Sequence, residues 1–235
     1  DYLERNQKYW RETLYDKSLL RVEVSLLGVV FFIFYTKEDS EEVYLYRNNT
    51  KLLENIDMLI QKKLIEPLND KSLVLDLGCN IGGISRDINK KYYSSVLGID
   101  ISKLSIAKAR KYFRDENKLN FEVVDVLNVS WFDNFEANHF THIISASHLI
   151  HVPNGKSKDL YIKKLKEIGR NLIFYERIFT EGEDEHSSRN FTDFEKSFSM
   201  KKYREFNKHL PNQLLDEKCF NRTKRVGIFY FSKKE

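Results

Sequence analysis

The sequence predicts an α/β domain in which helices alternate with the strands of a mostly parallel sheet. Three observations carry that prediction. The run Leu73-Val74-Leu75-Asp76-Leu77 is apolar apart from one carboxylate and stops at Gly78, with Gly82 and Gly83 close behind and a helical pattern after them. Asp100 closes a second apolar run 24 residues after Asp76, and Asp125 closes a third, Leu119 to Val124, 25 residues further on. Each interval is the length of one strand, one crossover helix and the return to the next strand.

Length and composition bound the function. A chain of 235 residues, 41% hydrophobic, holds one sizeable α/β domain with additions. Thirty-nine basic against 35 acidic residues leave a net charge of +4, a surplus that permits an anionic substrate without requiring nucleic acid. The two cysteines, Cys79 and Cys219, fit neither a disulfide framework nor a paired metal motif, which points to a reducing compartment. The longest strongly apolar run, Leu26 to Tyr35, spans ten residues and is interrupted by Gly28, too short for a bilayer. No basic, apolar, small-residue leader opens the chain, so a cytoplasmic location is expected.

The glycine-rich stretch reads as strand, tight turn and helix. Glycine serves where φ is positive or where a ligand approaches the backbone, and a helix start offers amide hydrogens to a negative group. Two turns compete for it. In the dinucleotide turn the second glycine admits a pyrophosphate, and here Asn80 occupies that position and would crowd it. The alternative is the cofactor turn D-x-G-x-G-x-G, motif I of the class I S-adenosylmethionine (SAM) methyltransferases. The stretch resembles that motif, with Asp76, Gly78, Asn80 and Gly82 in its four slots; the family accepts asparagine in the third. The resemblance covers roughly Asn49 to Arg177.

The resemblance implies a Rossmann-like class I methyltransferase fold, with a mostly parallel seven-stranded sheet in the order 3-2-1-4-5-7-6 and helices on both faces. It implies SAM as cofactor and S-adenosylhomocysteine as product. Asp76, Gly78, Cys79, Asn80 and Gly82 are then the cofactor turn. Asp100, at the end of the second strand and followed by Ile101, accepts the ribose hydroxyls, a role strand-end carboxylates have in adenosine-binding α/β folds. Asp125 accepts from the adenine amine, the amide of Val126 meets the ring, and Ser145 lies at the end of the fourth strand. Each aspartate alone is an ordinary turn residue. Three at the ends of successive parallel strands match the rule that ligands bind there.

Residues 1–48 form an N-terminal extension. Tyr2, Leu3, Tyr9, Trp10, Leu14 and Tyr15 among charges suit an amphipathic helix. The resemblance suggests that Tyr9 and Trp10 close over the cofactor; the plainer alternative is that they pack on the core. Arg21 to Arg47 is β-branched and aromatic, consistent with two or three strands and a hairpin near Lys37 to Ser40, either a substrate cover or a homodimer contact. Residues 49–235 are expected to be the SAM-binding domain. It begins with a helix over Asn49 to Ile65, capped by Asn49 or Thr50. Ser102 caps a later helix whose Ile106, Ala109 and Phe113 share a face.

Acceptor chemistry is expected after the fourth strand, Thr141 to Ser147. Ser145-Ala146-Ser147-His148 departs from the D/N-P-P-Y/F motif of enzymes that methylate exocyclic amines of DNA bases, and looks more like the small-molecule branch. A histidine near neutrality suits removal of an acceptor proton, and His148 and His151 share one face of a helical turn. Each has the alternative role of capping or packing. His139 and His142 flank the start of the strand, away from the cofactor. A helix with Tyr161, Leu165 and Ile168 on one face, ended by Gly169, leads to a strand ending at Glu176 and Arg177. Glu176 is placed to orient a histidine or bind the acceptor, and Arg177 to meet an anionic group.

Residues 178–211 are expected to form a charged insert with an aromatic helix as lid, in which Arg189 and Arg204 are candidate anion ligands. The acidic cluster Glu181 to His186 reads as a solvated loop, because consecutive carboxylates diverge; no metal site is expected. A final hairpin, which the resemblance places antiparallel in the sheet, closes the domain.

Three functions compete. The first is transfer of a methyl group to a hydroxyl or amine of a small molecule, for which the charge balance permits an anionic one, with no nucleic-acid or membrane partner. The second is methylation of RNA or protein, which the pI near 8.8 permits although the basic residues are interspersed with acidic ones. The third is a SAM-binding partner subunit without transferase activity.

Overall fold

The computed structural model describes residues 49–152, 156–177, 219–222 and 226–233. Helix α1 (Thr50–Gln61) leads to β1 (Leu73–Leu77), α2 (Gly83–Tyr92), β2 (Ser95–Asp100), α3 (Lys103–Tyr112) and β3 (Leu119–Val123). A 3₁₀ segment (Val129–Asn134), β4 (Phe140–Ala146), a 3₁₀ turn (Leu149–His151), α4 (Lys156–Ile168) and β5 (Gly169–Arg177) follow, and β6 (Cys219–Arg222) and β7 (Val226–Ser232) complete the sheet. The strand order is β3-β2-β1-β4-β5-β7-β6. The first five strands pair in parallel, while β7 lies antiparallel between β5 and β6, the hairpin expected.

Alternation along each strand divides the core into two layers. Leu75, Leu77, Ile143, Leu172 and Phe229 face one side, where they pack with Phe132 of the 3₁₀ segment and with Tyr161 and Leu165 of α4. Val74, Val96, Ile144, Ile173 and Ile228 face the other, against Leu52, Ile56 and Leu59 of α1, Ile88 of α2 and Ile106 of α3. With β1 at the centre, the carboxyl ends of β1, β2 and β4 are neighbours. The register sets Asp76 opposite Gly98 and Ile144, and Asp100 opposite Val123.

Two local expectations are corrected. Neither Asn49 nor Thr50 provides a side-chain cap for α1: Asn49 occupies the N-cap position but its Nδ2 donates to Asp87 of α2 at 2.7 Å, tying two helices together. Gly169 does follow α4, yet it is the first residue of β5 rather than a left-handed cap. A Cβ there would lie 2.5 Å from Cδ1 of Ile143, so close packing of β5 on β4 requires the glycine. By contrast, Ser102 caps α3 as expected, its Oγ accepting from the amide of Ser105 at 3.2 Å.

The helix and strands expected before residue 49, the insert over 178–211, and Tyr9, Trp10, Arg189 and Arg204 lie outside the described residues. Among the described residues no helix is long and apolar enough to cross a membrane.

Candidate cofactor and acceptor site

The turn after β1 is shaped by left-handed residues. Gly78 and Gly82 have φ of 66° and 86°, and Asn80 lies between them at 52°, a conformation asparagine tolerates. Its side chain is anchored as well, Oδ1 accepting from Ser105 Oγ at 3.0 Å. Gly82 is needed for packing rather than for a ligand. A Cβ there would meet the Phe121 ring at 2.6 Å, and one at Gly98 would meet the same ring at 2.7 Å.

The turn's amides are largely committed inside the protein. Cys79 N–H donates to the carbonyl of Ile99, Gly82 N–H to the carbonyl of Cys79, and Asn80 N–H to Oδ2 of Asp100, each at 2.9 Å. An anionic pyrophosphate would find those three donors occupied and a carboxylate beside them, whereas a ligand that brings its own hydroxyl and amine donors would find acceptors. Asp100 is one: its Oδ1 accepts from the Ser102 amide at 2.8 Å, and the carboxylate remains half-exposed at the end of β2. Burial nevertheless raises its pKa, opposed by the amides of Ser102, Asn80 and Ile101. Asp125 is another, half-exposed and fixed by the Leu127 amide at 3.0 Å. The amide of Val124 donates to the carbonyl of Asp100, which joins the ends of β2 and β3. These carboxylate acceptors fit the hydroxyl and amine donors of the ribose and adenine of SAM.

Not every residue of the turn faces a ligand. Asp76 is 1% exposed and accepts from Ser85 Oγ at 2.5 Å, so its carboxylate ties β1 to the first turn of α2. Burial pushes it up to about 7. Cys79 has a buried thiol, raised well above its ordinary value by desolvation, and contributes to the turn through its backbone. Ile101 is half-exposed beside Asp100, and Val126 is buried behind Asp125. Ser145 is fully buried, its hydroxyl donating to Glu176 at 2.6 Å. Arg177 is paired in register with Val226 at the end of β5.

The acceptor-side histidines adjoin this turn. Ser147, in the left-handed region at φ 55°, bends the chain out of β4, and its amide donates to the carbonyl of Tyr175. His148 then lies against Gly78, where a Cβ would stand 2.5 Å from its Nδ1. The Tyr161 hydroxyl, kept protonated by burial, is 3.3 Å from Nε2. Nδ1 is the ring nitrogen that faces Gly78. Burial, with His151 and Lys158 nearby, lowers His148 to about 3, so its ring is neutral. The 3₁₀ turn puts His151, half-buried, one turn on, its amide donating to the His148 carbonyl at 3.0 Å. His142 is remote from this end: it is buried in β4 with Nε2 2.9 Å from the Glu66 carbonyl.

Glu176 is fully buried beneath the turn. Its Oε1 accepts from Ser145 Oγ and from the amides of His148 and Leu149, both at 3.2 Å, while burial pushes its pKa up to about 7. Lys158 of α4, only 5% exposed, donates to the carbonyls of Leu149 and Val152 at 2.9 and 3.0 Å. Lys158 escapes sequence reasoning, because it is one of several lysines in a charged helix.

Residues 74–170 match the family model described as a methyltransferase domain. The chain is 34% identical over 109 residues to a phosphoethanolamine N-methyltransferase of Plasmodium falciparum, a match covering 45% of this chain and 40% of that protein. It is 29% identical over 118 residues to the sterol 24-C-methyltransferase ERG6 of Saccharomyces cerevisiae, covering 49% of this chain and 30% of that one. The chain thus spans less than half the length of these curated relatives. Among solved structures, the crystal structure of WbdD superposes with a TM-score of 0.56 at 17% identity, covering 88% of this chain and 46% of that one, a likeness of fold. Residues 74–170 thus match a methyltransferase domain, and the strand order is the one expected from the resemblance to the class I SAM-dependent methyltransferases.

Proposed function

We propose that the chain is a SAM-dependent methyltransferase acting on a small molecule, with an amine or hydroxyl as acceptor. The observation that carries the reading is the contact of His148 with Gly78, which sets the acceptor-side turn directly on the cofactor turn. SAM supplies an electrophilic methyl group when bound. Asp100 and Asp125 are the acceptors for its ribose and adenine groups, and Gly78 and Asn80 shape the bend beside them.

The remaining chemistry is positioning of the acceptor and removal of its proton. His148 is a poor base, because a ring pKa near 3 gives it little affinity for a proton at neutral pH. That leaves His151 as the general base, carried on the same turn and ordered by its amide contact to His148. Glu176 acts beneath them by holding the turn. Arg177, the last residue of β5, is the candidate for an anionic group on the acceptor.

Phosphoethanolamine is the first acceptor to test, since the name of one relative specifies it and it combines an amine with an anionic group. Formation of S-adenosylhomocysteine from SAM, dependent on added phosphoethanolamine or another small amine or alcohol, is the expected result. SAM binding without turnover on any metabolite, RNA or protein fraction would instead favour a cofactor-binding partner subunit.

A further inference from the structure

The 3₁₀ turn that carries His151 is gripped by two buried groups of opposite charge type, from different elements. Glu176 of β5 receives the amides of His148 and Leu149, which open the turn; Lys158 of α4 donates to the carbonyls of Leu149 and Val152, at its middle and end. Burying a carboxylate and an ammonium carries a desolvation penalty of several kcal/mol each, which well-placed hydrogen-bond partners offset. The charge of Lys158 also acts on Glu176 directly, lowering its pKa against the effect of burial. A third anchor, the Tyr161 hydroxyl at His148 Nε2, is buried on the same helix one turn beyond Lys158.

We propose that Lys158 and Glu176 form a charged clamp on the backbone of residues 148–152, and that Lys158 is thereby a positioning residue for His151. This rests on the methyltransferase reading above, with His151 on the acceptor side. The clamp fixes the turn's amides and carbonyls, so the backbone that carries both histidines is held by groups other than the histidine rings. Its effect belongs to turnover, because Asp100 and Asp125, which face the cofactor, are anchored by other amides.

Three variants of the full chain test it. Lys158→Met removes the donors and keeps the length, Glu176→Ala removes the acceptor, and Glu176→Gln keeps an oxygen where the two amides need it. Amide hydrogen exchange at His148, Leu149 and His151 is read by NMR, SAM affinity by calorimetry, and kcat and KM with phosphoethanolamine as the probe acceptor. The clamp predicts exchange at those amides roughly 10- to 100-fold faster in Lys158→Met and Glu176→Ala. It predicts kcat lower by about 10- to 100-fold, with KM and SAM affinity within about threefold of wild type, and recovery of both readouts in Glu176→Gln. Fast exchange at the turn with wild-type kcat, or acceleration spread evenly over the sheet, would overturn the proposal. Should Lys158→Met fail to fold, Glu176→Ala set against Glu176→Gln still supplies the comparison. A wild-type chain that binds no SAM would defeat the methyltransferase reading, and the exchange pattern would still decide the clamp.

Discussion

The imidazole of His148 rests on Gly78, with Nδ1, Cγ and Cβ at 2.5, 2.9 and 3.1 Å from where a glycine-to-alanine methyl would stand. The turn after β4 is thus seated against the glycine turn after β1. Gly78 answers two demands together, a left-handed φ of 66° and the absence of a side chain.

Gly78→Ala should therefore be destabilising on both counts, by about 2–4 kcal/mol. His148→Ala removes the obstructing ring, so the double variant should lose at least about 1 kcal/mol less than the sum of the two single losses. Urea denaturation with linear extrapolation measures this; additive losses would mean that the ring does not obstruct the site.

Asp76 gives a pH signature. Its carboxyl stands at about 7 in the folded protein against 3.8 without burial, so between these values the folded state holds the proton more tightly than the unfolded chain. Stability from this group is full below pH 4 and falls as pH rises toward 7, by up to about 4 kcal/mol. Asp76→Asn, which keeps an oxygen for Ser85, should flatten the decline between pH 4 and 7. An unchanged slope would show that Asp76 does not titrate in that window.

The two histidines should separate in function. His151→Ala is expected to lower kcat by about 10²- to 10⁴-fold while SAM affinity stays near wild type. His148, lowered to about 3, should show no titration of its ring resonances above pH 5. A His148 midpoint between pH 6 and 7, together with a fully active His151 variant, would exchange their roles.

Much of this site was legible in residue spacing. Asp76, Asp100 and Asp125 mark successive strand ends because parallel βαβ units repeat at a nearly constant length, and the sheet order and terminal hairpin followed from the resemblance that those residues support. What spacing does not contain is partner choice across the fold. Gly82 and Gly98 are fixed by one Phe121 ring, Gly169 by Ile143, and Asn49 by Asp87, contacts between residues distant in sequence. The 3₁₀ segment Val129–Asn134 lacked a periodic signal, although its Phe132 is fully buried against Tyr161. Glu176 was visible as a strand-end carboxylate; that Lys158 opposes it across the turn required coordinates. Nor does spacing show that the Asp100 carboxylate takes the Asn80 amide.

The most direct measurement is calorimetric titration of the full chain with SAM, beside NAD as a control and Asp100→Ala as the variant. One SAM bound per chain, displaced by S-adenosylhomocysteine, no binding of NAD, and affinity about 1–3 kcal/mol weaker in Asp100→Ala is the predicted result. Absence of SAM binding, or an Asp100→Ala affinity equal to wild type, would contradict the placement of the cofactor at the carboxyl ends of β1, β2 and β3.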